Sequence, residues 1–63
     1  MTRKDFILIA SVLNSSMIDA KMGTEEDVIF MITLCGNMAD ELADTNKQFD
    51  RMKFLTACGV YDE

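Results

Sequence analysis

The chain contains no histidine, no proline and no tryptophan, and only two of its 63 residues are cysteine. Without histidine it lacks the side chain that most often serves as a general base or metal ligand near neutral pH. Two separated cysteines cannot build a four-ligand zinc site, and no CxxC redox motif is present. The three glycines form neither a phosphate-binding loop nor a nucleophile elbow. The sequence therefore predicts a protein that is not an enzyme and that binds no metal or cofactor.

The charge balance is acidic, with eleven aspartates and glutamates against six lysines and arginines, a net charge of −5. An acidic protein repels a phosphate backbone, so the composition disfavours nucleic acid as a partner. The longest mainly apolar run of the central segment, 28–34, is far shorter than the ~20 residues that cross a bilayer. The apolar run after Arg3 and Lys4 is preceded by Asp5 and lacks a prompt signal-peptide cleavage site. We therefore expect a soluble intracellular protein without a membrane partner.

The chain length predicts one small helical domain, 1–63. Below roughly 70–80 residues a single core rarely supplies more than about 3–5 kcal/mol, so such chains usually need a disulfide, a metal or self-association. Cys35 and Cys58 lie in apolar helical patterns typical of small buried side chains, although a disulfide between them stays open. By elimination, we expect the chain to form a homodimer.

Three capped segments without proline predict an all-α fold. The first helix, about 3–20, begins after Thr2, with Asp5 as a weak capping-box acid. Its apolar stripe, roughly 100° wide, consists of Phe6, Ile9, Ala10, Leu13, Met17 and Ala20. This stripe favours a continuous helix, and the alternative is a break at the weak point 14–16. We expect Gly23 to end the helix with a positive φ.

The second helix, about 25–44, begins after Thr24, and its acidic first turn suits the positive end of the helix dipole. We expect Asn46 to adopt the left-handed conformation beyond its end. The apolar stripe of this helix comprises Val28, Met31, Ile32, Cys35, Met38, Ala39 and Leu42. Its 3–4 spacing is that of a helical-bundle seam.

The third helix, about 51–58, is capped by Asp50, and Phe49 and Phe54 occupy the positions of a hydrophobic staple. Gly59 is placed to end it in a Schellman motif. The inner face of this helix is predicted to contain Phe54, Leu55 and Cys58. We expect an antiparallel pair of long helices with the short helix across their open edge, two such protomers joining in a helical bundle.

Apolar side chains beyond the stripe of the second helix suggest a binding surface. Ile29 and Phe30 lie off the stripe and Leu34 lies at its border, so part of this surface would be exposed on a monomer. Met31 and Met38 add flexible side chains that can adapt to a partner, although methionine is also common core filler. These five residues form the candidate interface of a protein-binding module.

Two alternative functions rest on charged residues. Lys47, Arg51 and Lys53 form a small basic spot that a nucleic-acid-directed regulator could use. A DNA mimic would instead display the acids Glu26, Asp40, Glu41 and Asp44. Because the second helix ends near the start of the first in an antiparallel pair, we expect Arg3 and Lys4 to neutralise the acids at that end.

Two segments carry a resemblance to a known group. The opening TRKDFxxIAxxL (Thr2–Leu13) and the ending TNxxFDRxKFLxACGV (Thr45–Val60) are similar to those of a group of very small tailed-bacteriophage proteins. That group combines a similar N-terminal helix with an FDRxRFLxACG-like ending around a variable helical middle. This chain departs from the pattern at Lys53, where arginine is common, and at Lys47, where proline is frequent.

The resemblance implies an origin and not a mechanism, since the group has no established activity. It implies a small phage accessory protein that works in the cytoplasm of the host cell. Together with the surplus apolar surface, it leads us to expect a non-catalytic module that masks or modulates a host or viral protein.

Overall fold

The computed structural model describes residues 2–61, which form three α-helices. Helix α1 spans Arg3–Lys21, α2 spans Glu25–Thr45 and α3 spans Arg51–Cys58. The all-α prediction is confirmed, and each predicted boundary lies within one residue of the observed one. Helix α1 is continuous, so the alternative of a break at 14–16 is wrong. The Ser15 hydroxyl donates to the Ser11 carbonyl at 3.2 Å, which accommodates a serine inside the helix.

Both long helices begin with a complete capping box. The Thr2 N–H donates to Asp5 Oδ2 at 2.9 Å, and the Asp5 N–H donates to Thr2 Oγ1 at 3.4 Å. The same pair of bonds joins Thr24 and Asp27, at 3.0 and 3.3 Å. The backbone and hydroxyl donors of Thr2 hold the pKa of Asp5 below its ordinary value. Each box thus satisfies backbone groups that a helix start otherwise leaves without partners.

Two predictions about chain turns are wrong. Among the described residues only Gly59 has a positive φ, so Gly23 does not end α1 in the left-handed conformation. A Cβ at Gly23 would collide with the Asp27 carboxylate, so glycine is needed there for the close approach of the α2 cap. Asn46 is extended, with φ −146°, and its Oδ1 accepts the Gln48 N–H at 3.0 Å. This side-chain turn replaces the left-handed ending that we expected.

The core lies where the three helices meet, and its apolar stripes largely match the predicted ones. The fully or nearly buried residues are Ala10, Leu13, Met17, Met31, Cys35, Ala39, Leu42, Phe54, Leu55 and Cys58. Ile32 is 41% exposed, so its assignment to the stripe is wrong. Ile32 lies at the edge of the stripe, and a small rotation of α2 about its axis is enough to expose a side chain in that position.

Both cysteines are free thiols buried in this core. Burial, together with the neighbouring Cys35 thiol, raises the pKa of Cys58 to about 12. Burial also raises the pKa of Cys35. The two residues therefore serve as small apolar core side chains, as the sequence suggested.

Helix α3 crosses one side of the α1–α2 hairpin. At its start, Arg51 Nε lies 2.8 Å from Asp40 Oδ1 of α2. Asp40 is thus paired with α3, and the expected pairing of this acid with Arg3 or Lys4 is wrong. At its end, Gly59 has φ 89° in the predicted Schellman motif. A Cβ there would lie 2.7 Å from the Asn14 side chain of α1, so this end of α3 packs closely on α1.

Candidate protein-binding surfaces

One side of the α1–α2 hairpin is left uncovered because α3 occupies the other. On α1, Asn14 marks the covered side, since Gly59 packs against it. On α2, Asp40 marks the covered side, since Arg51 reaches it. Residues on the far flank of each helix therefore face away from α3.

Each helix carries a row of five residues on this uncovered flank. The row of α1 follows a 4-3-4-3 spacing and contains Asp5, Ile9, Val12, Ser16 and Asp19. The row of α2 follows a 3-4-3-4 spacing and contains Asp27, Phe30, Leu34, Asn37 and Glu41. We call these ten residues the open face. At 1.5 Å per residue each row is about 21 Å long.

The middle of the open face is apolar and accessible. Val12 is 59% exposed, Phe30 68% and Leu34 38%, while Ile9 is half-buried and packs against the core. Clusters of exposed apolar side chains with a polar rim are typical of protein interaction sites. Phe30 and Leu34 belong to the interface predicted from the sequence, whereas the residues of α1 that complete this surface do not.

The ends of the open face are acidic. Asp5 and Asp19 close the row of α1, and Asp27 and Glu41 close the row of α2. All four side chains are exposed, and neither row contains a lysine or an arginine. The surface thus combines an apolar centre with negative charge at both ends.

The structure divides the candidate interface that we derived from the sequence. Phe30 and Leu34 lie on the open face, with the half-buried Met38 between them and the core. Met31 is only 7% exposed, so it belongs to the core of the monomer and offers no surface to a partner. Ile29 is 58% exposed but lies on a different flank of α2, in line with Asp40. Successive side chains of a helix are rotated by about 100°, so Ile29, Phe30 and Met31 lie on three different sides of α2 although they are adjacent in sequence.

A second surface is a half-open groove of about 510 Å³ between α1, α3 and the loop that precedes α3. It is lined by Arg3, Phe6, Ile7, Ala10, Asn46, Gln48, Phe49, Asp50, Lys53, Phe54 and Ala57. Three phenylalanine rings form its apolar part: Phe49 lies 5.0 Å from Phe6 and 5.3 Å from Phe54, measured between ring centroids. The Phe49–Phe54 contact confirms the predicted hydrophobic staple.

The predicted basic spot does not form one surface. Arg51 is paired with Asp40, and Lys53 lines the groove. Lys47 is exposed in the loop between α2 and α3 and does not line the groove. The three cations therefore lie in three different environments.

Within residues 2–61 no group of three acidic, cysteine or histidine side chains is arranged to hold a metal ion. None of the helices in this range has the length and hydropathy that a bilayer span requires. Comparison with protein-family models, with curated proteins and with solved structures finds no match to this chain. The open face and the groove are therefore the candidate functional sites of the protein.

Proposed function

We propose that the protein is a non-catalytic protein-binding module that docks through the open face and thereby masks or modulates a partner. The observation that carries the proposal is the alignment of Val12, Phe30 and Leu34 on the one flank of the hairpin that α3 leaves uncovered. The resemblance to small phage proteins supports a host or viral protein as the partner. No step of this proposal requires catalysis.

The charges of the open face favour one kind of occupant. In a symmetric pair of two copies, the acidic ends of one open face would meet those of the other, and such like-charge contacts are destabilising. An amphipathic helix with lysine or arginine at both ends would meet the same acids favourably. We therefore propose that a basic amphipathic helix of another protein occupies the open face. Self-association through this face is the alternative, which sedimentation of the unliganded protein tests.

The geometry defines this helix further. The two rows each extend for about 21 Å, which matches roughly four turns of a docked helix. Apolar side chains at i, i+3 or i+4 and i+7 would reach the centre. Basic residues about two turns away on either side would reach the acidic ends.

The experiment is a calorimetric titration with a synthetic 16-residue helix that has leucines on one central face and lysines at both ends. Phe30→Glu should weaken binding about tenfold or more, because it places a charge in the apolar centre. Ile29→Glu is the matched control, since it adds the same charge to an adjacent exposed residue outside the open face. It should change the affinity by less than about twofold.

Two results would contradict the proposal. Equal losses in Phe30→Glu and Ile29→Glu would show that general charge, and not the open face, governs binding. Sedimentation of the unliganded protein as a dimer that Phe30→Glu dissociates would show that a second copy occupies the open face. A peptide with glutamate in place of every lysine should bind the open face at least about tenfold more weakly, measured from the amide shifts of Val12, Phe30 and Leu34.

A further inference from the structure

We propose that the groove between α1 and α3 is a second binding site, which takes an acidic peptide segment with a large apolar side chain at its centre. The groove lies on the side of the hairpin that α3 covers, so it is separate from the open face. Its lining joins an apolar aromatic surface to two cations, and this combination determines the ligand class.

The apolar part of the groove is held in place by several contacts. The ring of Phe49 is tilted by 60° to that of Phe6 and by 56° to that of Phe54. Phe54 is buried, whereas Phe6 and Phe49 are half-buried and keep part of their rings accessible. Aromatic surfaces fixed in this way favour a large apolar side chain as the anchor of a ligand.

The charged part of the groove is positive although the protein is acidic. Arg3 and Lys53 line the groove, and within residues 2–61 neither side chain forms an ion pair. The third charged residue of the lining, Asp50, caps α3, and its Oδ1 accepts the backbone N–H of Lys53 at 3.0 Å. Two cations and one acid give the lining a formal charge of +1. The two cations are therefore available to carboxylates that flank an apolar anchor.

The size and shape of the groove favour a peptide over an enclosed small molecule. A volume of about 510 Å³ accommodates one or two large side chains. Small-molecule sites usually bury most of their ligand, whereas this groove is half-open to solvent. Nucleic acid is disfavoured because two cations make a small footprint on a protein of net charge −5.

The test is a titration of the ¹⁵N-labelled protein with the amidated octapeptide EEEFLEEE, in which binding is measured from the amide chemical shifts of the protein. We expect the largest shifts at the amides of Phe6, Phe49 and Ala57. The double variant Arg3→Glu/Lys53→Glu should weaken binding about tenfold. Both changes place an acid in the first turn of a helix, where it is favourable, so the variant should fold.

Matched variants separate the groove from general electrostatics. Lys4→Glu/Lys47→Glu makes the same change in net charge at residues that do not line the groove, and it should alter the affinity by less than about twofold. Ala57→Phe fills the groove without changing charge and should abolish the shifts.

Several outcomes would overturn the inference. Shifts at the groove amides of Phe6, Phe49 and Ala57 that are as large with KKKFLKKK, or with an eight-nucleotide thymidine strand, as with EEEFLEEE would refute the proposed ligand class. Shifts concentrated outside the groove would refute the site. An equal loss of affinity in the two charge-reversal variants would show that net charge alone drives the interaction.

Discussion

The same substitution, glycine to alanine, should have opposite effects at two positions. At Gly59 the chain has φ 89°, in the region that side chains with a Cβ rarely adopt. An added Cβ would also lie 2.7 Å from Asn14 Oδ1, closer than ordinary contacts allow. At Gly36, inside α2, an added Cβ meets nothing within 4 Å. The pair therefore tests how α3 ends against α1.

The magnitudes follow from backbone preferences. Alanine in the left-handed conformation costs about 1–2 kcal/mol, and the contact with Asn14 adds to this loss. Alanine inside a helix is favoured over glycine by about 0.5–1 kcal/mol. For a chain of this size a change of 1 kcal/mol shifts the melting temperature by roughly 4–8 °C. Gly59→Ala should thus melt about 8 °C or more below the parent protein, and Gly36→Ala about 4 °C above it.

The assay is thermal and urea unfolding followed by circular dichroism at 222 nm. Asn14→Ala combined with Gly59→Ala separates the contribution of the contact from that of the backbone conformation. The double variant should recover part, but not all, of the stability lost in Gly59→Ala. A Gly59→Ala protein as stable as the parent would refute the left-handed ending of α3. If Gly36→Ala destabilises the protein, the claim that a Cβ at this position meets no neighbouring atom would be refuted.

Three further predictions concern stability. Thr24→Ala should lower the free energy of unfolding by about 1 kcal/mol in urea titrations, because the capping box of α2 is lost. Because the pKa of Cys58 is raised to about 12 in the folded protein, this thiol ionises more readily in the unfolded chain. The free energy of unfolding should therefore be constant below about pH 8 and fall between about pH 9 and 12. Cys58→Ala should flatten that fall relative to the parent, and an unchanged profile would contradict the assignment. Arg51→Ala should cost less than about 0.5 kcal/mol by the same titrations, since its ion pair with Asp40 is exposed.

The helices could be predicted because their signals are local. Thr2, Thr24 and Asp50 precede runs with a helical apolar period, and Gly59 follows the last of them. Position 23 is also a glycine, but for a different reason from Gly59: the carboxylate of Asp27 occupies the space that a Cβ would fill. A sequence signal does not distinguish a glycine needed for its φ from one needed for close contact.

The binding surfaces could be predicted only in part, because they depend on which flank α3 covers. Periodicity separates Phe30 and Leu34 from the core, but the pairing of Arg51 with Asp40 decides which flank stays open. Val12 joins Phe30 only through the antiparallel packing of α1 on α2. The groove was not foreseen at all, since Phe6 and Phe49 meet across 43 positions of the chain.

The most direct test of the open face is a chemical-shift titration of the ¹⁵N-labelled protein with the basic leucine–lysine helix. We predict the largest amide shifts at Val12, Ser16, Phe30 and Leu34, with smaller shifts in α3. Shifts concentrated in α3, or spread evenly over all three helices, would contradict the claim that the open face is the docking surface.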